Sequence, residues 1–328
     1  MRNNKYELIN EEVLELNGVK LHRIKALKDF GDVRAGDIGG FVESKYNLDQ
    51  SGYCWVYDNG KVYGNGRVCD EAKVCYDAEV CDNAEIHNNA TISGNSHVYG
   101  NARIRNNVKV LDTAEVYDSA EVCDNVIVAG NAHVYDNARV YNSVNIRDDA
   151  KVYENARIYN IVVIKGEAKV HGNALIYDNV KIVDNAEVLD DVQLYNNVIV
   201  KGNAKVLGNV KLTNRVIVKG TAQIGGNISI GDSIKIASGI FMGTRIQYIA
   251  ICNIGSRGDT TTFYIHDNEP SIVMACCGCF SGTIEEFREK VLETYAESSA
   301  YKHDYINAIK YAKSTLIGKE YQLEMVND

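Results

Sequence analysis

The chain has 328 residues, with 35 Lys and Arg against 44 Asp and Glu, so its formal net charge is −9. That acidic balance argues against indiscriminate binding to nucleic acid or anionic membrane. No stretch approaches the roughly 20 apolar residues needed to span a bilayer. The opening MRNNKYELINEE lacks an apolar core, so no signal peptide is expected. The 9 Cys, an odd number without secreted-type spacing, read as reduced thiols in a cytoplasm.

Taken from the N-terminus, residues 1–37 read as a cap. The run VLELNGVKLHRIKAL holds two extended stretches around Asn17-Gly18, a hairpin signal. From Val56 through Phe241 the chain advances in sixes, with no insertion or deletion expected. Each unit is an aliphatic residue, an outward residue, Asp/Gly/Asn, Asn, Ala/Val and a variable residue. A period of six matches neither a helix nor a coiled coil. It reads as a short strand and a corner, with alternate side chains pointing in and out. The recurrent Asn83, Asn101, Asn137, Asn155, Asn173 and Asn203 are expected at the corners, where the left-handed backbone region is needed.

The small position is Val at 108, 126, 144, 162, 180, 198 and 216 and Ile at 234, whereas it is Ala at 138, 150 and 156. The bulky members recur every third unit. Three units therefore close one coil, and the section is a triangular prism with one inner corner filled by Val. Weaker signs carry the same frame back to Ile38 as an aliphatic position, with Val42, Leu48 and Cys54 as small ones. The fold expected is mainly β: a parallel β-helix over 38–242, between the N-terminal cap and a small α/β domain over 243–328. Open coil ends need such caps, because each coil bonds only to its neighbours.

Within 243–328, RIQYIAICNIGS, TTTFYIHD and SIVMACCGCF read as strands. Thr283 with Glu286 three residues on reads as a capping box opening a helix, with Ile284, Phe287, Val291 and Tyr295 on one face. A second helix is expected over Tyr301–Leu316.

The six-residue unit resembles the left-handed parallel β-helix of hexapeptide-repeat proteins, a class that includes many acyltransferases and the γ-class carbonic anhydrases. Handedness is implied by that resemblance alone. The stretches KYELINEEVLELNGVKLHRIKALKDFGDVRAGDIGGFVES, CWVYDNGKVYGNGRV, GSRGDTTTFY and CGCFSGTIEEF are similar to a family of phage- and prophage-encoded repeat proteins. That resemblance implies a phage context and the cytoplasm of a bacterial host, without implying a reaction.

Signs of catalysis are sparse. Hexapeptide acyltransferases resemble one another in placing a His base beside a loop that interrupts the helix, often between subunits. Here His87, His97, His133 and His171 lie in coils with no such loop. His97, Glu115 and His133 share one outward column, but the two His are two coils apart, about 9.6 Å at strand spacing. That is too far for one zinc at ~2.1 Å per bond, so neither metal nor cofactor is expected. Cys276, Cys277, Cys279 and Cys252 read as small buried residues, and Cys69, Cys75 and Cys81 fall on three faces. GSRGDTTTFY reads as a hairpin turn rather than an anion cradle, since it lacks the Lys of a phosphate-binding loop.

The outer faces offer more. Arg67, Glu85, Arg103, Glu121 and Arg139 form a column of alternating charge that breaks at Arg157. Beside it run Tyr141, Tyr159, Tyr177 and Tyr195, and these with Arg139 and Arg157 make a first candidate binding face. Tyr99, Tyr117, Tyr135 and Tyr153, with Lys151 and Lys169, make a second. An apolar stripe of Ile127, Val163, Val183, Ile199 and Ile217 suggests self-association into a homo-oligomer. The reading favoured is a non-enzymatic phage accessory protein that engages and inhibits a host protein, such as a defence nuclease, in the manner of an anti-CRISPR. Protein is favoured over nucleic acid as partner, and no membrane is expected. A hexapeptide acyltransferase-like enzyme is the alternative, and a virion component the third reading.

Overall fold

The computed structural model describes residues 4–16, 18–231, 233–241, 247–256, 258–266 and 269–317. The chain is mainly β, a β-solenoid of 18-residue coils with N-terminal strands and a C-terminal sheet carrying two helices. It divides into two compact units, Met1–Asp178 and Asn179–Asp328.

In the first unit, strands of two or three residues stack in parallel into three sheets, each pairing residues 18 apart, as in Arg103↔Glu121 and Val144↔Val162. The aliphatic positions and the Ala/Val positions are buried, among them Val140, Ile146, Ala138, Ala150, Val126, Val144 and Val162. The three-units-per-coil reading is thus correct, and the Val column fills one inner corner.

The corners work differently from expectation. The residue with positive φ is the third of each unit, for example Asp82, Gly100, Asp136, Glu154 and Gly172. Asn83, Asn101, Asn137, Asn155 and Asn173 stand one place later. They form amide ladders instead: Asn83 Nδ2 donates to Asn101 Oδ1 at 3.1 Å and Asn155 Nδ2 to Asn173 Oδ1 at 3.3 Å. A left-handed corner leaves its own N–H outside the sheet pattern, and the carboxylate one coil earlier collects it. Gly100 N–H donates to Asp82 at 3.1 Å and Gly166 N–H to Asp148 at 3.0 Å. The coils are also tight at these corners. A Cβ on Gly100 would lie 2.7 Å from the Asp118 nitrogen.

The N-terminal strands β1 (Tyr6–Leu16) and β2 (Val19–Ala26) pair antiparallel through the expected hairpin. Gly18 has φ +81, while Asn17 lies outside the described residues. Strand β3 (Ile38–Val42) pairs antiparallel with β2 and parallel with Lys61–Val62. The frame before Val56 needs correction. Val42 aligns with Val62 and Leu48 with Val68, so both are in the aliphatic position, and Ile38 is 50% exposed. Trp55 aligns with Lys73 and its N–H bonds to Ala72 O, in frame with the later coils, so the stretch between Leu48 and Trp55 carries two extra residues. The cap closes over this coil with Tyr6, Phe30 and Trp55 in edge-to-face contact. Tyr6 OH donates to Leu48 O at 2.8 Å, and the fully buried Lys5 Nζ donates to Cys54 O at 3.0 Å.

In the second unit the coils continue the 18-residue spacing, with Val192, Val210, Val198, Val216 and Ile234 buried. The period is broken at its end. Ile224 aligns with Phe241, one residue short of a full coil, at a corner where Gly239 adopts φ +100. Four antiparallel strands follow: Tyr248–Ile254, Asp259–His266, Glu269–Cys277 and the unforeseen Phe280–Thr283. Helix α1 (Ile284–Thr294) opens on the expected Thr283–Glu286 capping box and buries Ile284, Phe287 and Val291. Helix α2 (Ala300–Leu316) adds Tyr305, Ala308, Ile309 and Ala312 to the same core. This sheet covers the last coil: Lys235 N–H donates to Thr262 Oγ1 at 3.0 Å and Lys219 Nζ to Gly278 O at 3.1 Å.

Candidate functional site

The second candidate face, in the first unit, is the most regular surface feature. Tyr99, Tyr117, Tyr135, Tyr153 and His171 hold the same outward position in successive coils, at the end of one sheet. Their rings form a continuous stack, with centroids 4.8, 4.9, 4.9 and 4.5 Å apart and planes within 7°. The spacing is that of neighbouring strands. Parallel stacking uses both faces of each inner ring, so the row presents edges and hydroxyls to the outside. Partial burial raises the Tyr99 phenol, helped by Glu115, and takes Tyr117 up to about 12, helped by Tyr135 and Glu115. These phenols therefore keep their protons and act as donors.

Beside the stack, His97, Glu115, His133, Lys151 and Lys169 are register neighbours in one ladder. Glu115 accepts from Tyr99 OH at 3.1 Å and lies 3.5 Å from His133 Nδ1. His171 Nδ1 lies 3.7 Å from Glu154. Thus His133 and His171 each have a carboxylate within reach, on a sheet face and not in a cleft.

The first candidate face also divides in character. Arg103 pairs with Glu85 at 3.8 Å and Glu121 at 3.5 Å, and Arg139 with Glu121 at 3.8 Å. Arg157 then stacks in register on Arg139, where the alternation ends. Tyr159 and Tyr177 stack at 4.9 Å, and Tyr141 lies one coil before Tyr159. In the second unit, Lys211 Nζ sits 5.4 Å from the centre of the Tyr195 ring.

The apolar stripe is interrupted. Asn145 stands between Ile127 and Val163 in the first unit. In the second, Ile199 and Ile217 follow Lys181, while Val183 belongs to the neighbouring outward column. All five residues are half-buried.

Among the described residues, no group of three or more His, Cys, Asp or Glu could hold a metal ion. Cys276 is buried, but Cys279 and Cys252 are exposed, which corrects the expectation that all four C-terminal thiols are interior. Gly278 and Cys279 form the two-residue turn joining Cys277 to Phe280, so Cys279 stands outside the sheet. Cys69, Cys75 and Cys81 are each pushed up to about 11, chiefly by burial, which makes them poor nucleophiles. The GSRGDTTTFY segment is a hairpin turn, Ile254 pairing with Asp259, with Arg257 outside the described residues.

Two concavities escaped sequence reasoning, because each gathers residues far apart in the chain. One of about 330 Å³ beside the N-terminal cap includes Asp32 and Lys73. There Lys73 Nζ at 2.9 Å and Tyr57 OH at 2.7 Å hold the Asp32 carboxyl below its usual range. The other, of about 370 Å³, lies in the C-terminal domain between the Cys277–Phe280 turn and the two helices, and is lined in part by Ser256, Tyr295 and Tyr305.

No family model matches the chain. Over 44 residues it is 43% identical to an uncharacterized acetyltransferase, YdcK, of Escherichia coli (strain K12), a match that spans 13% of this chain and 14% of that protein. Among solved structures it is similar to the UDP-N-acetylglucosamine acyltransferase of Francisella novicida, at 14% identity and a TM-score of 0.27. That alignment covers 74% of this chain and 86% of the other.

Proposed function

We propose that the chain is an acyltransferase-type hexapeptide-repeat protein, working through the His133–Glu115 pair of its first unit. What carries this reading is an imidazole 3.5 Å from a carboxylate, in a chain similar over 44 residues to an acetyltransferase. In it, His133 takes the proton of an acceptor hydroxyl or amine as that atom attacks the thioester carbonyl of an acyl donor. The thiolate leaves, and the imidazolium beside Glu115 returns a proton to it. A flat sheet face exposes this chemistry to water, so a second copy of the chain would have to close the site. Calorimetry with acetyl-CoA tests the reading. The full chain should bind it, and His133→Ala should abolish acetyl transfer while sparing the fold. A full chain that shows no binding at millimolar acetyl-CoA rejects the reading.

A second reading, non-enzymatic binding of a partner protein, is favoured by the stack from Tyr99 to His171. A rigid row of phenols held by its neighbours loses little entropy on contact, which suits recognition. Replacing Tyr117 and Tyr135 by Ser should then abolish capture of a partner without any change in acetyl-CoA binding. A phage source and inhibition of a host defence enzyme are finer proposals, which neither the coil geometry nor the similar proteins support.

A further inference from the structure

The two charge ladders of the first unit change character at the same height. In the earlier coils each cation meets an acid: Lys61 pairs with Glu79 at 2.9 Å, and Arg103 and Arg139 share Glu121. Later, Lys151 stacks on Lys169 in one sheet and Arg139 on Arg157 in the next. Lys151, Arg157 and Lys169 are exposed, and among the described residues none of their side chains makes a hydrogen bond or ion pair. Between the two ladders, at the shared corner, stand Tyr153 and His171, stacked at 4.5 Å. Glu154 at that corner is already engaged, accepting Gly172 N–H at 2.8 Å. Glu167 is exposed, two residues before Lys169 at the far edge of its sheet.

Like charges one strand apart repel, so the doubled cations cost stability in the isolated chain and favour an anionic partner. We infer that this corner is a docking site for a short acidic polypeptide segment. Its carboxylates would pair with Lys151, Lys169 and Arg157 and accept hydrogen bonds from phenols of the adjoining row, such as Tyr135. Two observations set the partner's class. Single-stranded nucleic acid binds aromatic surfaces by stacking bases on ring faces, and here the inner ring faces are taken by neighbouring rings. A long polyanion would also run onto the remainder of a chain of net charge −9. A short segment feels only the local cations, because screening confines exposed charges to about 8–10 Å.

The inference rests on the binding reading and is independent of acyl transfer. It is tested by fluorescence anisotropy on the full chain, with an oligoglutamate peptide and an oligothymidylate of equal charge as probes. The peptide should bind, more weakly as salt rises. Lys151→Glu with Lys169→Glu should weaken it more than about tenfold, as should Arg157→Glu. Lys109→Glu, an exposed cation in another sheet, should leave it unchanged, and circular dichroism should show all variants folded. Absence of peptide binding, equal binding by Lys109→Glu and Lys151→Glu/Lys169→Glu, or tighter binding of the oligothymidylate would overturn the inference. A partner captured through Tyr117 and Tyr135 but insensitive to Lys151→Glu/Lys169→Glu would overturn it too, while leaving the binding reading standing.

Discussion

The Asp112 carboxylate accepts the backbone N–H of Gly130, one coil on, at 2.9 Å. The same relation joins Asp82 to Gly100 and Asp148 to Gly166, and in the second unit Asp184 to Gly202 and Asp190 to Gly208. The acid supplies the acceptor that a left-handed corner lacks, and the glycine supplies the conformation and the clearance. The two roles predict different costs. In Gly94→Ala, the new Cβ would sit 2.6 Å from the Asp112 carbonyl oxygen, at a φ of +81. That should cost about 1–3 kcal/mol through backbone strain. Asp112 is itself left-handed, with φ +61, so Asp112→Gly removes its exposed acceptor without adding strain and should cost roughly 0.5–1.5 kcal/mol. Urea unfolding of the two variants compares them directly, and an Asp112→Gly that loses more than Gly94→Ala would refute this division of labour.

The Val column makes an opposite pair of predictions. Val144 is 1% exposed and stacks on Val162, whereas Ala150 is fully buried at a narrower inner corner. Val144→Ala leaves a void in a rigid stack and should cost about 2 kcal/mol. Ala150→Val forces methyls into a filled corner and should cost about 1–3 kcal/mol. If the inner corners were interchangeable, Ala150→Val would be neutral or stabilising in thermal unfolding.

Much of this fold was legible because each coil repeats one local rule. Aliphatic residues every sixth position and Val every eighteenth specify strand, corner and coil without any long-range information. The misreadings came where the rule stops. The two extra residues before Trp55 and the missing one before Phe241 lie next to the caps, where pairing with β2 or with the C-terminal sheet overrides the repeat. Corner hydrogen bonding was legible in principle, as Asp followed by Gly 18 residues later, but needed the coil length first. The candidate faces were legible as columns, since register follows from period. The contact of Glu115 with His133 and the lack of side-chain partners for Lys151 and Arg157 among the described residues were not, because side-chain rotamers decide them.

The coil thiols should respond to pH in a definite direction. Burial pushes Cys69, Cys75 and Cys81 up to about 11, against roughly 8.5 for a free thiol. The unfolded chain then loses these protons first. Their contribution to stability is complete below pH ~8.5 and is lost as pH rises towards 11. Alkylation by iodoacetamide at pH 8 should accordingly be slow at all three and accelerate steeply above pH 10. The fall in unfolding midpoint between pH 9 and pH 11 should be shallower in Cys75→Ser/Cys81→Ser. A slope unchanged by that double substitution would assign the alkaline loss to other groups.

Tyr264 is the fixed point where the last coil gives way to the C-terminal sheet. Its ring meets Phe241 edge-on at 5.6 Å. Its hydroxyl accepts from Ala237 N–H at 3.4 Å and Ser238 N–H at 3.3 Å, and donates to Ser238 O at 3.2 Å. These backbone groups belong to the corner that is one residue short, so no further coil satisfies them. Burial holds the phenol proton well above its ordinary range, and the hydroxyl serves as both donor and acceptor. Tyr264→Phe keeps the ring and removes these bonds, together with the contact to Ser238 Oγ at 3.4 Å. Because the site is buried, the orphaned groups should cost about 1–3 kcal/mol. The loss should be local before it is global. Hydrogen exchange should show faster exchange at the Ala237 and Ser238 amides, with little change at Ile199, two strands back from Lys235–Ile236 in the same sheet. Protection of Ala237 and Ser238 equal to that in the parent chain would mean that packing of the ring, and not its hydroxyl, seats the terminal sheet.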